Sequence, residues 1–266
     1  MREPFFKMLP YLLGGFLGFL ITFPPDSFLA LGPWRPLILA CIVIVGLLAV
    51  TGLQLAISLP RDVNVEPLAE TLAPDVAALI HQYRAIGFEL VIPLLRVDIR
   101  PSGTLSIMVN RSAGCWGSVF VTGTVPRRVG YDIYSIIEGE RGSLTSLAEP
   151  GAAVLPLAPG CFKQVFHGAT PEVLLARHRE AQALLSERGV RFDPPGPQDV
   201  PARIRRSINT QRQIIAANPL KAAALVLWRA TTKSTPYNLP VASQKGTEAT
   251  LRYLLRGESA PARALT

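Results

Sequence analysis

The chain has 266 residues, 17% of them charged, with 27 Lys and Arg against 19 Asp and Glu for a formal charge of +8, and its mean hydropathy is +0.30. A charged fraction below the roughly 25% of a soluble globular domain, with only three cysteines, excludes a collagen, a long coiled coil, a disulfide-dense mini-protein and a wholly disordered chain. Only Arg2, Glu3, Lys7, Asp26 and Arg35 are charged within the first 60 residues, so an apolar N-terminal region (residues 1–60) precedes a globular one.

The first apolar run, Met8 to Phe23, ends at Pro24-Pro25-Asp26, which stops a helix. With Phe5, Phe6 and a snorkelling Lys7 it reaches the length needed to cross a bilayer. A secretory signal peptide is the competing reading, but no small-x-small cleavage site follows. The second run, Pro36 to Leu59, is free of charge and long enough to span with some tilt. A transmembrane hairpin with spans at about 8–23 and 36–59 is therefore expected. Gly14 and Gly18 in the first span, and Ala49, Gly52 and Ala56 on one face of the second, would allow close helix packing or self-association. Trp34 with Arg35 fits an interface anchor. Arg2, Lys7 and Arg61 flank the spans on one side and Arg35 on the other, which places both termini in the cytoplasm.

Residues 62–190 read as an α+β domain. Glu66 to Gly87 carries Leu68, Leu72, Val76, Leu79 and Ile80 at helical spacing, with Pro74 as a possible break. Strand-like stretches follow at Phe88–Ile99, Thr104–Asn110, Trp116–Val125 and Tyr131–Ile137, and Glu138-Gly139-Glu140-Arg141-Gly142 turns into Ser143–Leu147. The connections are too short for helical crossovers, so a largely antiparallel meander of four to six strands is expected. A helix over Pro171–Glu187 closes the unit, capped by Thr170 and stopped at Gly189, and the helices are expected on one sheet face. The run GFEL, the segment YDIYSIIEGERGSLTS and the helix ATPEVLLARHRE together resemble a loose pattern found in bacterial membrane-anchored proteins of unknown function, over about residues 86–180. That resemblance implies a bacterial envelope setting and no particular activity.

A Pro-rich linker is expected over 191–200, with Pro194, Pro195 and Pro197. Residues 201–266 then form a basic tail, with 11 Lys and Arg against 2 acids, whereas residues 61–199 are almost neutral. In Pro201–Ala217, Ile204, Ile208 and Ile215 share one face while Arg203, Arg205, Arg206 and Arg212 lie on the flanks and far side. A second stretch, Leu220–Thr231, carries Lys221, Trp228 and Arg229 around an apolar segment too short to span. These seven cationic and aromatic residues are the candidate contacts with anionic lipid. The alternative has the isoleucines packing on the domain with the arginines merely solvated. Nucleic acid is disfavoured, because Trp228, Tyr237 and Tyr253 are sparse for base stacking.

No catalytic fingerprint, metal-ligand spacing or cofactor motif is present, so no metal and no cofactor are expected. Cys41 lies in the second run, and Cys115 and Cys161 stand apart; they would pair only in an exported domain and are otherwise small buried thiols. Cys115 paired with His167 or His178 would be the nucleophile of an unrecognised enzyme built on the Ser112–Cys115 loop. His81, Glu138 and Glu140 fit surface or satisfied positions, and Asn110-Arg111-Ser112 matches a glycosylation acceptor. The leading expectation is a membrane-anchored protein whose cytoplasmic domain is an interaction or structural module. The alternatives are that enzyme, or an accessory subunit of a membrane complex.

Overall fold

The computed structural model describes residues 63–98, 103–123, 127–148, 158–196, 200–219 and 221–224, together with 250–252, 254 and 255 and, in the N-terminal region, 41, 44–46, 48 and 51. The expected spans at 8–23 and 36–59 otherwise lie outside the described residues. Among the described residues no helix is long and apolar enough to cross a membrane.

Seven strands follow one another across a single sheet in chain order: β1 (Val65–Pro67), β2 (Glu89–Val97), β3 (Gly103–Asn110), β4 (Cys115–Thr122), β5 (Arg128–Ile137), β6 (Gly142–Leu147) and β7 (Cys161–Val165). The first six pair antiparallel, as the short connections from β2 to β6 require and with α1 lying between β1 and β2, while β7 runs parallel to β6. The sheet is thus larger than the expected four to six strands. Val65–Pro67 is too short, and Cys161–Val165 too mixed, to announce a strand by period alone. A Cβ on Gly142 would come within 2.0 Å of the Gly160 carbonyl oxygen, so the start of the parallel pair is closed to any other residue. Pro93 interrupts β2: it has no N–H to give, the β2–β3 register shifts between Leu90 and Ile92 and again across Pro93, between Ile92 and Leu95, and the Ser106 hydroxyl donates to its carbonyl at 2.6 Å.

Among the described residues the long helices are α1 (Pro74–Ala85), α2 (Pro171–Glu187) and α3 (Val200–Ala217). The helix expected over Glu66–Gly87 begins only at Pro74, since a fixed φ suits the first turn, while Glu66 and Pro67 are drawn into β1. Thr170 caps α2, its hydroxyl accepting from the Val173 N–H. Leu174, His178, Ala181 and Leu185 form the buried stripe of α2, at the spacing of one helix face. Helices α1 and α2 cover one face of the sheet, where Val76, Ile80, Tyr83, Met108, Val119, Ile133 and Leu174 make the main core. Each such side chain contributes roughly 1.5–3 kcal/mol by leaving water.

Helices α1 and α2 share one face, as expected for residues 62–190, whereas α3, from the region expected to be a basic tail, lies on the other. Val200, with Ile204 and Ile208 beside it, packs on the opposite face against Val65, Leu95, Val97, Ile107 and Trp116. Apolar residues alternate along β3 and β4, so the sheet has two faces to cover, and the isoleucine stripe of α3 covers part of the second. Chain beyond 190 also returns to the domain. Phe192 bridges Ile137, and Leu251 and Leu254 join Leu144, Phe162 and Leu185 in a second core on the α2 side.

Candidate functional site

Two polar clusters lie back to back on the sheet. On the helix-covered face, β5 and β6 place Ser135 and Ser146 on either side of α2's His178, which has no exposed surface. The Ser135 Oγ lies 2.9 Å from His178 Nε2 and the Ser146 Oγ 2.8 Å from Nδ1. Gln164 on β7 donates to Ser146 at 2.7 Å, and Gln182 on α2 donates to Ser135 at 2.8 Å. The pattern closes with the proton on Nε2: Ser146 donates to Nδ1, Nε2–H donates to Ser135, and Ser135 donates to the Gly114 carbonyl at 3.2 Å. Burial lowers the imidazole pKa to about 3, which keeps it neutral. A histidine with both nitrogens engaged and no route to solvent is a brace between α2, β5 and β6, not a base awaiting substrate.

The Cys115 nucleophile of the enzyme alternative is not assembled. Cys115 is fully buried and burial pushes its thiol up to about 12, against the opposing effect of Arg179, so it stays protonated. His178 is committed to the two serines, His167 is exposed, and the Ser112 hydroxyl donates to Asn110 Oδ1 at 2.8 Å. His81 is likewise exposed on α1. Cys161 lies on the open face, where its sulfur accepts from Ser143 at 3.5 Å.

On the open face, the sheet and α3 enclose a groove of about 640 Å³. Its floor is set by strand register. Ser118 on β4 faces Asp132 on β5, and the next row runs Tyr134, Thr145, Lys163 across β5, β6 and β7. Leu105, Ile107 and Phe120 supply an apolar end, and Ser143, Arg141 and Glu140 line the other. Phe120 lies over Gly130, where a Cβ would meet the ring at 2.4 Å, so the glycine is what lets the ring lie flat on the floor. Arg203, Arg206, Ser207 and Thr210 of α3 form the wall.

Asp132 is half-buried at the centre of this floor. Its Oδ1 accepts from the Ser118 hydroxyl at 2.5 Å. Burial raises its pKa to about 6, although the Ser118 hydrogen bond and the charge of Lys163 pull the other way. A carboxyl held at that cost, in a cleft, is the kind of group found at functional sites. Among the described residues no cluster of His, Cys, Asp and Glu could hold a metal ion.

The residues assigned to lipid have mixed positions. The Arg203 guanidinium sits 5.4 Å from the centroids of both Trp116 and Tyr134, whose rings stack within 10° of parallel, and it donates to the Tyr134 hydroxyl at 3.3 Å. Arg205 donates to the Val65 carbonyl at 3.2 Å, and Arg206 pairs with Glu140 at 2.8 Å; both remain exposed. The Arg212 Nε is buried without a hydrogen-bond partner. Lys221 lies in a further helical stretch after α3, and Trp228 and Arg229 lie outside the described residues.

Sequence reasoning did not single out Asp132, Ser118, Thr145 or Lys163. Their signal was present as polar residues on one parity of apolar strands, Asp132 within YDIYSII and Ser118 within WGSVFVT, but parity points to a site only when the face opposite the core is known to be roofed. No family model matches the chain, and neither a curated protein nor a solved structure matches it.

Proposed function

We propose that the protein is a membrane-held binding module, whose ligand seat is the groove between the open face of the sheet and α3. The observation that carries this reading is the half-buried Asp132, kept with a raised pKa on the floor of a cavity of about 640 Å³, within the range of small-molecule sites. A domain with only a structural role would gain stability by replacing that carboxyl with a neutral residue. Membrane attachment rests on the apolar runs at 8–23 and 36–59, and the cytoplasmic side on the Lys and Arg flanking them. The exposed Arg205 and Arg206 favour a place for α3 close to an anionic surface.

The test is a ligand-observed NMR screen of a diverse fragment library against the full chain in phosphatidylcholine nanodiscs, run beside Thr145→Trp, which fills the groove floor. Fragments that bind the parent and are lost in the variant support the reading. Binding that is indifferent to the plug, or no binding at all, sinks it.

A further inference from the structure

The groove is amphipathic along its length and unequal in charge. Its β3–β4 end is apolar, built from Leu105, Ile107 and Phe120. Toward β7 and the α3 wall it is bordered, among the described residues, by four cations, Arg141, Lys163, Arg203 and Arg206, against two carboxylates, Asp132 and Glu140. Five strands from β3 to β7 make four intervals of about 4.8 Å, so the floor is about 19 Å across, long enough to separate a tail from a head group. The Arg206–Glu140 pair is exposed on both sides, at 63% and 42%, so its geometry is weakly held and the guanidinium can turn toward a better acceptor.

From this charge and shape complementarity we infer that the ligand is an amphipathic organic anion, with its hydrocarbon body over Leu105, Ile107 and Phe120 and its carboxylate or phosphate drawn to Lys163 and Arg206. The inference rests on the groove being a ligand seat and adds the class of ligand. Asp132 shapes that choice. Its negative charge at neutral pH repels an anion placed at the centre of the floor, which directs the head group to the β7 side and leaves the centre to a hydroxyl or amide donor on the ligand.

The experiment is calorimetric titration of the full chain in phosphatidylcholine nanodiscs with four probes, decanoate, decyl phosphate, decanol and decyltrimethylammonium, using empty nanodiscs as the blank. Inorganic phosphate and acetate serve as head groups without tails. The expected result is that decanoate or decyl phosphate binds at least tenfold more tightly than decanol and decyltrimethylammonium, with the stronger of the two identifying the head group, and that the tailless anions bind at least tenfold more weakly. Lys163→Gln and Arg206→Gln together are expected to reduce the preference for anions over decanol to under threefold; Arg206→Gln alone, at an exposed position, gives a partial loss with the fold intact. Equal binding of the neutral or cationic amphiphile would leave the groove a ligand seat and overturn the anion assignment. So would a preference that survives both substitutions, equal binding of inorganic phosphate, or no binding by any decyl probe; the fragment screen with Thr145→Trp judges the seat itself independently.

Discussion

On the covered face of the sheet Ser135 and Ser146 hold a neutral histidine, and on the open face Ser118 holds a carboxyl that burial makes reluctant to ionise. The same residue type, one strand apart, serves two ends. Around His178 the serines, glutamines and a backbone carbonyl complete a network that excludes water, and a completed network adds rigidity. Around Asp132 the stabilising groups are too few to offset burial, so the site carries a cost that a ligand or a proton can relieve. What separates structure from site here is how fully the polar atoms are matched, because both faces are rich in serine.

The strongest way to break the covered side is His178→Ala. It leaves Ser135 and Ser146 short of partners and opens a void, and a loss of about 3 kcal/mol or more in urea unfolding is expected. The milder His178→Gln tests the proton. The folded-state pKa of about 3 lies below the unfolded value of 6.5, so the unfolded chain binds the proton first and stability falls as pH drops through that window. His178→Gln should remove that contribution, up to about 1.4 kcal/mol per pH unit, in melting curves taken between pH 7.5 and 4.5.

Asp132 should behave in the opposite sense. Its folded pKa of about 6 lies above the unfolded 3.8, so there is no penalty below pH 3.8, the penalty grows as pH rises between the two values, and it is complete above pH 6. Asp132→Asn is therefore expected to stabilise the chain by up to about 3 kcal/mol at pH 7.5 and by progressively less toward pH 4, measured as the difference in melting temperature from the parent at each pH. A destabilised Asn variant at pH 7.5 would contradict the account of the open face. Arg203→Gln removes the guanidinium from Trp116 and Tyr134, and a loss of about 1 kcal/mol is expected, seen as faster hydrogen exchange in α3 with β3–β5 unchanged. The smallest effect belongs to Arg206→Gln, an exposed ion pair, which should shift stability by less than about 0.5 kcal/mol.

Much of the fold was legible in the residues. β-rich composition, the alternation of Thr104–Asn110 and the turn at Glu138–Gly142 located five of the strands, Thr170 and Gly189 bracketed α2, and the isoleucine spacing marked the buried side of α3. The parallel β6–β7 pair was not legible, since β7 has five residues and its pairing is decided by the close approach at Gly142 and Gly160. The arginines of α3 were read as cations on an amphipathic helix, and that pattern is the same whether the cation meets a phosphate, a ring or a carbonyl. Arg203 turned out to face two aromatic rings that lie roughly 70 and 90 residues earlier, a meeting that local spacing does not encode. The groove escaped notice for the same reason: Ser118, Asp132 and Lys163 become neighbours only through register, and the roof over them comes from a helix past the Pro-rich segment.

Strand order that equals chain order has a kinetic consequence. From β2 to β6 each strand finds its partner directly behind it, so most of the sheet can form through short loop closures and with little entropy lost per step. The roof is different, because the Arg205 contact with Val65 joins positions 140 residues apart. Assembly of the groove is therefore the late, long-range event, an order that pulse-labelled refolding would report as amides of β3–β5 protected before those of α3. The groove would be completed only after the meander that supports it, and would be the first part to open when the chain is destabilised.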